Sequence, residues 1–419
     1  MSDQPLIAGL DIGSSAIRIA VGQPSVGPEQ HPHIVGVAEV PSQGISRGII
    51  TSIDDAVSSI TACLEKIERI SGVGVERVWV GISGSHIASQ ESRGVVAVAK
   101  PNGEISEADV ERAIEAARTV ATPPNYEILH VIPKSFTVDG QVGIRDPIGM
   151  TGVRLEVDTQ IIQGLSSQIK NLTKSIFRTG LDVEDLVLAI LATAEAVLNP
   201  RSKQLGAAVV NIGGSTTSLA VYEEGDILHT AILPVGSEHI TSDIAIGLRI
   251  SIDAAEKIKL QYGTALSKDI GKREEIDLGE MSGTGVSGNL VSKRYVSEII
   301  EARVEEIIDK VDAELKKVNR SGMLPAGVTL TGGGAKLPGI IEVAKRKLRL
   351  PAALGYPVNV TSTVDKSNDV TFTTAIGLVQ WGNQMLAHRA GGRTGAFSGK
   401  LRSLPKAFNN LLRTLRLRR

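Results

Sequence analysis

The chain has 419 residues, too many for one simple core at the usual prior of roughly 100–200 residues per domain, and its 42% hydrophobic and 22% charged residues are those of a globular protein. A single cysteine, Cys63, excludes an intramolecular disulfide and any multi-cysteine metal site and points to a cytosolic protein; no apolar run nears the roughly 18 residues of a spanning helix, and the N-terminus has no signal-peptide pattern. The net charge of -1 hides an asymmetry, because residues 400–419 hold seven basic residues and no acidic one, leaving 38 basic against 46 acidic residues in the rest.

In chain order, "AGLDIGSSAIRIAV" at 8–21 reads as a tight hairpin, with β-branched and apolar residues flanking a short turn where glycine permits positive φ. Cys63 follows among the apolar residues of a predicted helix and is expected to be a buried, inert thiol. Residues 85–163 read as a small module. "ESRGVVAVAK" alternates like a strand, and "SEADVERAIEAARTV" predicts a helix with a Ser106 cap and Asp109 at the capping-box position. That helix places Val110, Ala113, Ile114, Ala117 and Val120 on one face, and "EILHVIPKSFTVDG" and "RLEVDTQIIQG" supply further strands. His86 and His130 lie in this module without metal-ligand spacing and are expected to be ordinary hydrogen-bonded histidines.

A second hairpin, within "VVNIGGSTTSLAVYEEGDI" at 209–227, repeats the first at an offset of 200. Residues 8–21 and 208–221 share Ala8/Ala208, Ile12/Ile212, Gly13/Gly213, Ser15/Ser215, Ala20/Ala220 and Val21/Val221. The separation is far beyond a solenoid period of about 20–50 residues, so it predicts two homologous domains that each begin with the same hairpin. Taken singly, either copy reads as readily as a bare hairpin as it does as a binding turn. Together the two copies offer backbone N–H groups and the hydroxyls of Ser14, Ser15, Ser215, Thr216 and Thr217 as opposed anion cradles that need no lysine, and a polyphosphate between them is the expected ligand.

Beyond the second hairpin, Glu256 and Lys259 in "DAAEKIKLQYG" are three apart and share a helix face, which also fits a plain surface ion pair. Residues 295–318 predict a long helix whose stripe, Ile300, Val304, Ile307, Val311, Leu315 and Val318, suits core packing better than a coiled coil. "GVTLTGGGAKLPGIIEVAKRKL" at 327–348 reads as a strand, three glycines and a helix, a geometry that lets backbone approach a flat group or phosphate closely. Residues 370–386 predict a last helix that crosses back to the first domain.

After Leu386, residues 387–399 are glycine-rich and lack periodicity, as in a flexible linker. The tail, 400–419, then places Leu401, Leu404, Phe408, Leu411, Leu412 and Leu415 at helical spacing, with cations including Lys406, Arg413 and Arg416 largely opposite them. Pro405 fits only a first turn and Ser403 reads as its cap, so the helix begins near Leu404. Such a helix suits docking on an anionic membrane surface, and the same residues leave nucleic-acid binding or docking onto the chain itself open.

Hairpin, second hairpin and TGGGA before a helix is the order found in the actin, Hsp70 and sugar kinase superfamily. Within it the chain resembles the FtsA family of bacterial cell division proteins along nearly its whole length. The resemblance rests on "GLDIGSSAIRIAVG", "VWVGISGSHI", "LHVIPKSFTVDGQVGIRDPIGMTGVRL", "VGSEHITSDIAIGL", "LTGGGAKLPGI" and the basic amphipathic C-terminus. It implies an α/β actin-like fold: two duplicated ribonuclease H-like domains around a nucleotide cleft, an inserted α/β subdomain and a C-terminal amphipathic helix. The implied division is 1–84 with 164–200 and 370–386 for the first domain, 85–163 for the insert, 201–369 for the second domain with its lid, 387–399 for the linker and 400–419 for the membrane helix.

The resemblance further implies that ATP and Mg2+ occupy the cleft. Gly13, Ser14 and Ser15 would form the first phosphate turn and Gly213, Gly214, Ser215 and Thr216 the second, with Gly236 a further nucleotide-binding residue. Asp11 and Asn211 would stand on the cation side, with Glu256, Lys259, Gly332, Gly333, Gly334 and Lys336 toward the nucleoside. Two departures argue for slow or absent ATP hydrolysis: Asn211 stands where most of the superfamily has aspartate, and Ala189 and Ile190 stand where relatives carry a water-orienting Gln or Glu. The implied partners are FtsZ, further copies of the chain in a filament, the anionic inner face of the cell membrane at midcell, and later division proteins through the insert, with no role for nucleic acid. A small-molecule kinase of the same superfamily and an actin-like pilus or secretion protein are the alternatives.

Overall fold

The computed structural model describes residues 6–25, 31–120, 123–279 and 290–390. Two of its sheets follow one strand plan. In the first, Ile7–Ile12 pairs antiparallel with Ala16–Gln23, and Ala16–Gln23 with His33–Pro41; on its other side Ile7–Ile12 runs parallel to Arg77–Ile82, which runs parallel to Asp182–Leu188. In the second, Ala207–Ile212, Thr217–Glu223 and Asp226–Leu233 make the antiparallel ribbon, and Gly327–Thr331 and Ala352–Leu354 the parallel side. Even the register repeats, with Ala8 opposite Val21 and Ala208 opposite Val221. The sequence repeat is thus a repeat of structure, and the fold is α/β and actin-like, with two ribonuclease H-like halves.

The central strands IAGLDI and AAVVNI are apolar almost without alternation because each is covered on both faces. Helix Ile53–Ser71 packs against the antiparallel side of the first sheet, and Thr373–Ala390 lies across Ile7–Ile12. Ser52 caps the former through its Oγ, and Gly72, at φ 71, ends it by donating its N–H to Glu68 O at 2.8 Å. Cys63 lies inside this helix, buried, and burial pushes its thiol up to about 12, so it is inert as expected.

The insert is a four-stranded antiparallel sheet in the order Ile87–Ala97, Arg154–Leu165, Tyr126–Val138, Gln141–Ile144. Helix Glu107–Val120 seats Val110, Ala113 and Ala117 against Phe136, Val138, Leu155 and Val157. Only the acidic half of the expected capping box forms: the Ser106 N–H and hydroxyl both donate to Asp109 Oδ2, at 2.9 and 2.6 Å. His130 is structural, its Nε2 accepting the Leu188 backbone N–H at 2.9 Å, whereas both ring nitrogens of buried His86 lack a partner among the described residues.

Three boundaries differ from the sequence reading. The long helix spans Lys293–Lys317 with Ile300, Val304, Ile307, Val311 and Leu315 buried, and Val318 is its C-cap rather than part of the stripe. Thr361–Ser362 pairs with His33 and Ile34 of the first sheet, so the chain re-enters the first half inside the segment expected to belong to the second. The last helix runs to Ala390, because Ala387–Ala390 contains no breaker before Gly391 and Gly392. The rest of the predicted linker and the tail residues Leu404, Lys406, Phe408, Leu411, Leu412, Arg413, Leu415 and Arg416 lie outside the described residues.

Candidate functional site

The two sequence-repeated turns face each other across one cavity of about 680 Å³. Each closes in the same way, Gly13 N–H donating to Ala16 O at 3.2 Å and Gly213 N–H to Thr216 O at 2.9 Å. The expected positive φ is absent from Gly13, Gly213 and Gly214. These glycines serve close approach instead: a Cβ on Gly13 would stand 2.8 Å from Ala16 O, and one on Gly214 would run into Ser15 Oγ and the Glu238 carboxylate. The backbone N–H groups of Ser14, Ser15, Gly214 and Ser215 have no acceptor among the described residues, which leaves them to the cavity. Ser14 Oγ accepts the Gly48 N–H at 3.0 Å.

Gly332, Gly333, Gly334 and Lys336 form a further part of the wall, on a 3-10 turn after strand Gly327–Thr331. Gly332 is at φ 85, and a Cβ on Gly334 would stand 3.0 Å from Ile212 O, whereas one on Gly333 would meet nothing nearer than 4.0 Å. The glycine surface therefore packs on the second hairpin from behind and presents bare backbone to the cavity. Glu256 and Lys259 also line it, and their ion pair is not a surface one: Lys259 is only 9% exposed, and its Nζ lies 2.6 Å from Glu256 and donates to Thr241 Oγ1 at 2.8 Å. Lys336 is paired with Asp369 at 2.6 Å. Gly236 does not line the cavity; it is the N-cap of helix Ser237–Leu248, and a Cβ there would press on the carbonyls of Gly213 and Gly214, so it backs the second turn.

Asp11 and Asn211 stand on equivalent strands of the two halves, both lining the cavity. Burial pushes the Asp11 carboxyl up to about 6 while Arg18 pulls it down, and Arg18 itself is held 2.5 Å from Glu39. The Asn211 amide donates to Thr374 Oγ1 at 3.1 Å, and Ala189 brings no polar side chain to the wall. Among the described lining residues three cations (Arg18, Lys259, Lys336) meet five carboxylates' worth of demand from Asp11, Glu39, Glu238, Glu256 and the neighbouring Asp369. The donors this cavity leaves open to an anion are therefore backbone N–H groups rather than free lysines.

Sequence reasoning missed Glu238. Its carboxylate accepts the Ser15 hydroxyl at 2.7 Å and the Ser215 hydroxyl at 2.5 Å, joining the two turns. The one available signal was an acid in the first helical turn directly after Gly236 and Ser237.

The sequence model of the SHS2 domain inserted in FTSA matches residues 84–163, and that of Cell division protein FtsA matches 208–377. The chain is 39% identical over 378 residues to Cell division protein FtsA of Neisseria meningitidis serogroup B, covering 90% of both chains. It is 38% identical over 381 residues to Cell division protein FtsA of Bacillus subtilis strain 168, covering 91% of this chain and 84% of that one. Among solved structures it is similar in fold to the PilM-PilN type IV pilus biogenesis complex, at 17% identity and a TM-score of 0.65 over 90% of this chain and 98% of that one. It is also similar to MreB5 of Spiroplasma citri bound to ADP, at 13% identity and a TM-score of 0.54 over 94% and 100%.

Proposed function

The chain belongs to the FtsA family of cell division proteins, and from that membership we propose that it binds ATP with Mg2+ in the cleft, assembles into filaments on the cytoplasmic face of the cell membrane at midcell, and tethers FtsZ there. The observation that carries the nucleotide reading is the pair of turns, 200 residues apart, facing one cavity of about 680 Å³, within the roughly 300–1,000 Å³ of small-molecule sites. The N–H groups of Ser14, Ser15, Gly214 and Ser215 would hold the phosphates, the glycine surface at 332–334 with Glu256 and Lys259 the nucleoside, and Asp11 and Asn211 the side of the cation. Bound Mg2+·ATP supplies compact charge that both turns bind at once.

The chain's own residues do little toward hydrolysis. Asn211 adds no charge beside Asp11, and Ala189 offers nothing to orient water, so turnover is slow or absent and ATP acts as a ligand that favours the closed cleft by mass action. The tail supports the membrane reading through its apolar Leu404, Phe408, Leu411, Leu412 and Leu415 set against cations, and the insert is the expected meeting point for later division proteins.

Calorimetric titration of the full chain with Mg2+·ATP tests the central claim. Binding is expected in the unaltered chain and its loss in Gly334→Val, whose side chain would drive into Ile212. An unaltered chain that takes up no ATP at millimolar concentration sinks the reading.

A further inference from the structure

We propose that Glu238 is a built-in competitor for the phosphoryl seat: a carboxylate latch across the cleft that an incoming polyphosphate must displace. The inference rests on reading the cleft as the ATP site, and it concerns how that site is regulated.

The two carboxylate oxygens of Glu238 are divided between the turns, Oε1 accepting from Ser15 of the first half and Oε2 from Ser215 of the second. Each serine hydroxyl has a single hydrogen to donate, so a hydroxyl bonded to Glu238 is withheld from any phosphate oxygen. The position is fixed by the backbone: Glu238 N–H donates to Gly214 O at 2.8 Å, and only glycine at 214 leaves the carboxylate room to reach Ser15. The bond to Ser15 spans the two halves, so the same group that fills the anion seat also ties the cleft shut.

No basic side chain among the described residues pairs with this carboxylate. The three cations lining the cavity are committed to Glu39, Glu256 and Asp369. An arriving phosphate therefore loses two hydroxyl donors and meets a like charge. Displacement is nonetheless easy to accommodate, because Glu238 is exposed and lies in the first turn of its helix, free to swing into solvent without disturbing the core.

The test is ATP titration of the full chain and of the Glu238→Ala and Glu238→Gln variants, each with Mg2+ and with chelator. Removing the competitor is expected to lower the ATP Kd about tenfold in Glu238→Ala and by part of that in Glu238→Gln, in both metal conditions. A merely structural role cannot produce tighter binding. Ser15→Ala is expected to weaken ATP binding more in the Glu238→Ala background than in the unaltered chain, where that hydroxyl is already spent. Equal or weaker binding in both Glu238 variants overturns the proposal; weakening confined to the Mg2+ titrations would instead make Glu238 a cation ligand. Failure of the unaltered chain and both variants to bind ATP would overturn the ATP reading and this inference with it.

Discussion

The side-chain NH2 of Asn211 donates to Thr374 Oγ1 and, more distantly, to Thr193 Oγ1 at 3.5 Å, so hydroxyls of the first half hold the amide and only its uncharged Oδ1 is left to face a cation. Asn211→Asp keeps the shape, and both threonine hydroxyls can turn to donate to it. The added charge beside Asp11 should raise steady phosphate release by about tenfold or more; an unchanged rate would remove Asn211 as the cause of slow turnover. Residue-scale chemistry also contributes to the acid sensitivity of the fold. Burial lowers His86 and His130 from 6.5 to about 4, so the folded chain holds both neutral. The unfolded chain binds more protons between those values, so this contribution is complete above pH 6.5 and is lost as pH falls toward 4. Acidifying from about pH 7.5 to about pH 5.5 should cost about 1 kcal/mol per histidine. His86→Leu, which removes an imidazole with no partner among the described residues, should abolish about half of that loss in denaturant titrations. An undiminished pH dependence in this variant would exclude His86 as a source.

At the scale of elements, the last helix is the part most finely fitted. Thr373–Ala390 crosses helix Ala189–Val197 so closely that a Cβ on Gly377 would stand 2.5 Å from the Ala192 carbonyl carbon and 3.3 Å from its Cα. Gly377→Val must push the helices apart at a cost of about 1–3 kcal/mol, a fall of several degrees in Tm. Because Thr374 on the same helix lines the cleft, ATP binding should weaken with it; an unaltered Tm would mean the crossing yields freely. The paired hairpins were legible in the sequence because their identities sit at equal spacing and an apolar strand has few other uses. The glycine turn at 332–334 and the buried face of the long helix were legible for similar local reasons. What escaped was non-local: Ser15 and Glu238 are 223 residues apart, and Thr361–Ser362 joins a sheet begun at the other end of the chain. Local pattern also misassigned a cause, since the hairpin glycines answer to neighbouring carbonyls and the Glu238 side chain, not to their own φ.

Over the whole molecule, charge is distributed so that the body and the tail respond oppositely to an anionic surface. Outside residues 400–419 the chain carries 38 basic against 46 acidic residues, which a negatively charged leaflet repels, while the tail's seven cations are attracted at about 1 kcal/mol each near the surface. If the tail docks as proposed, one copy binds reversibly, and copies joined in the proposed filament would multiply that binding by raising the effective concentration of every further tail. Anchoring and assembly should therefore rise together. Flotation with anionic liposomes is expected to recover the intact chain and leave behind one ending at Gly399. Recovery should grow when ATP promotes assembly and shrink at high salt, where screening removes the electrostatic share. Leu411→Asp with Leu412→Asp should abolish flotation while leaving ATP binding intact, which separates the tail from the cleft. Equal flotation of the intact and shortened chains would end the anchoring proposal, and flotation of the intact chain that is indifferent to ATP would end the coupling between assembly and anchoring.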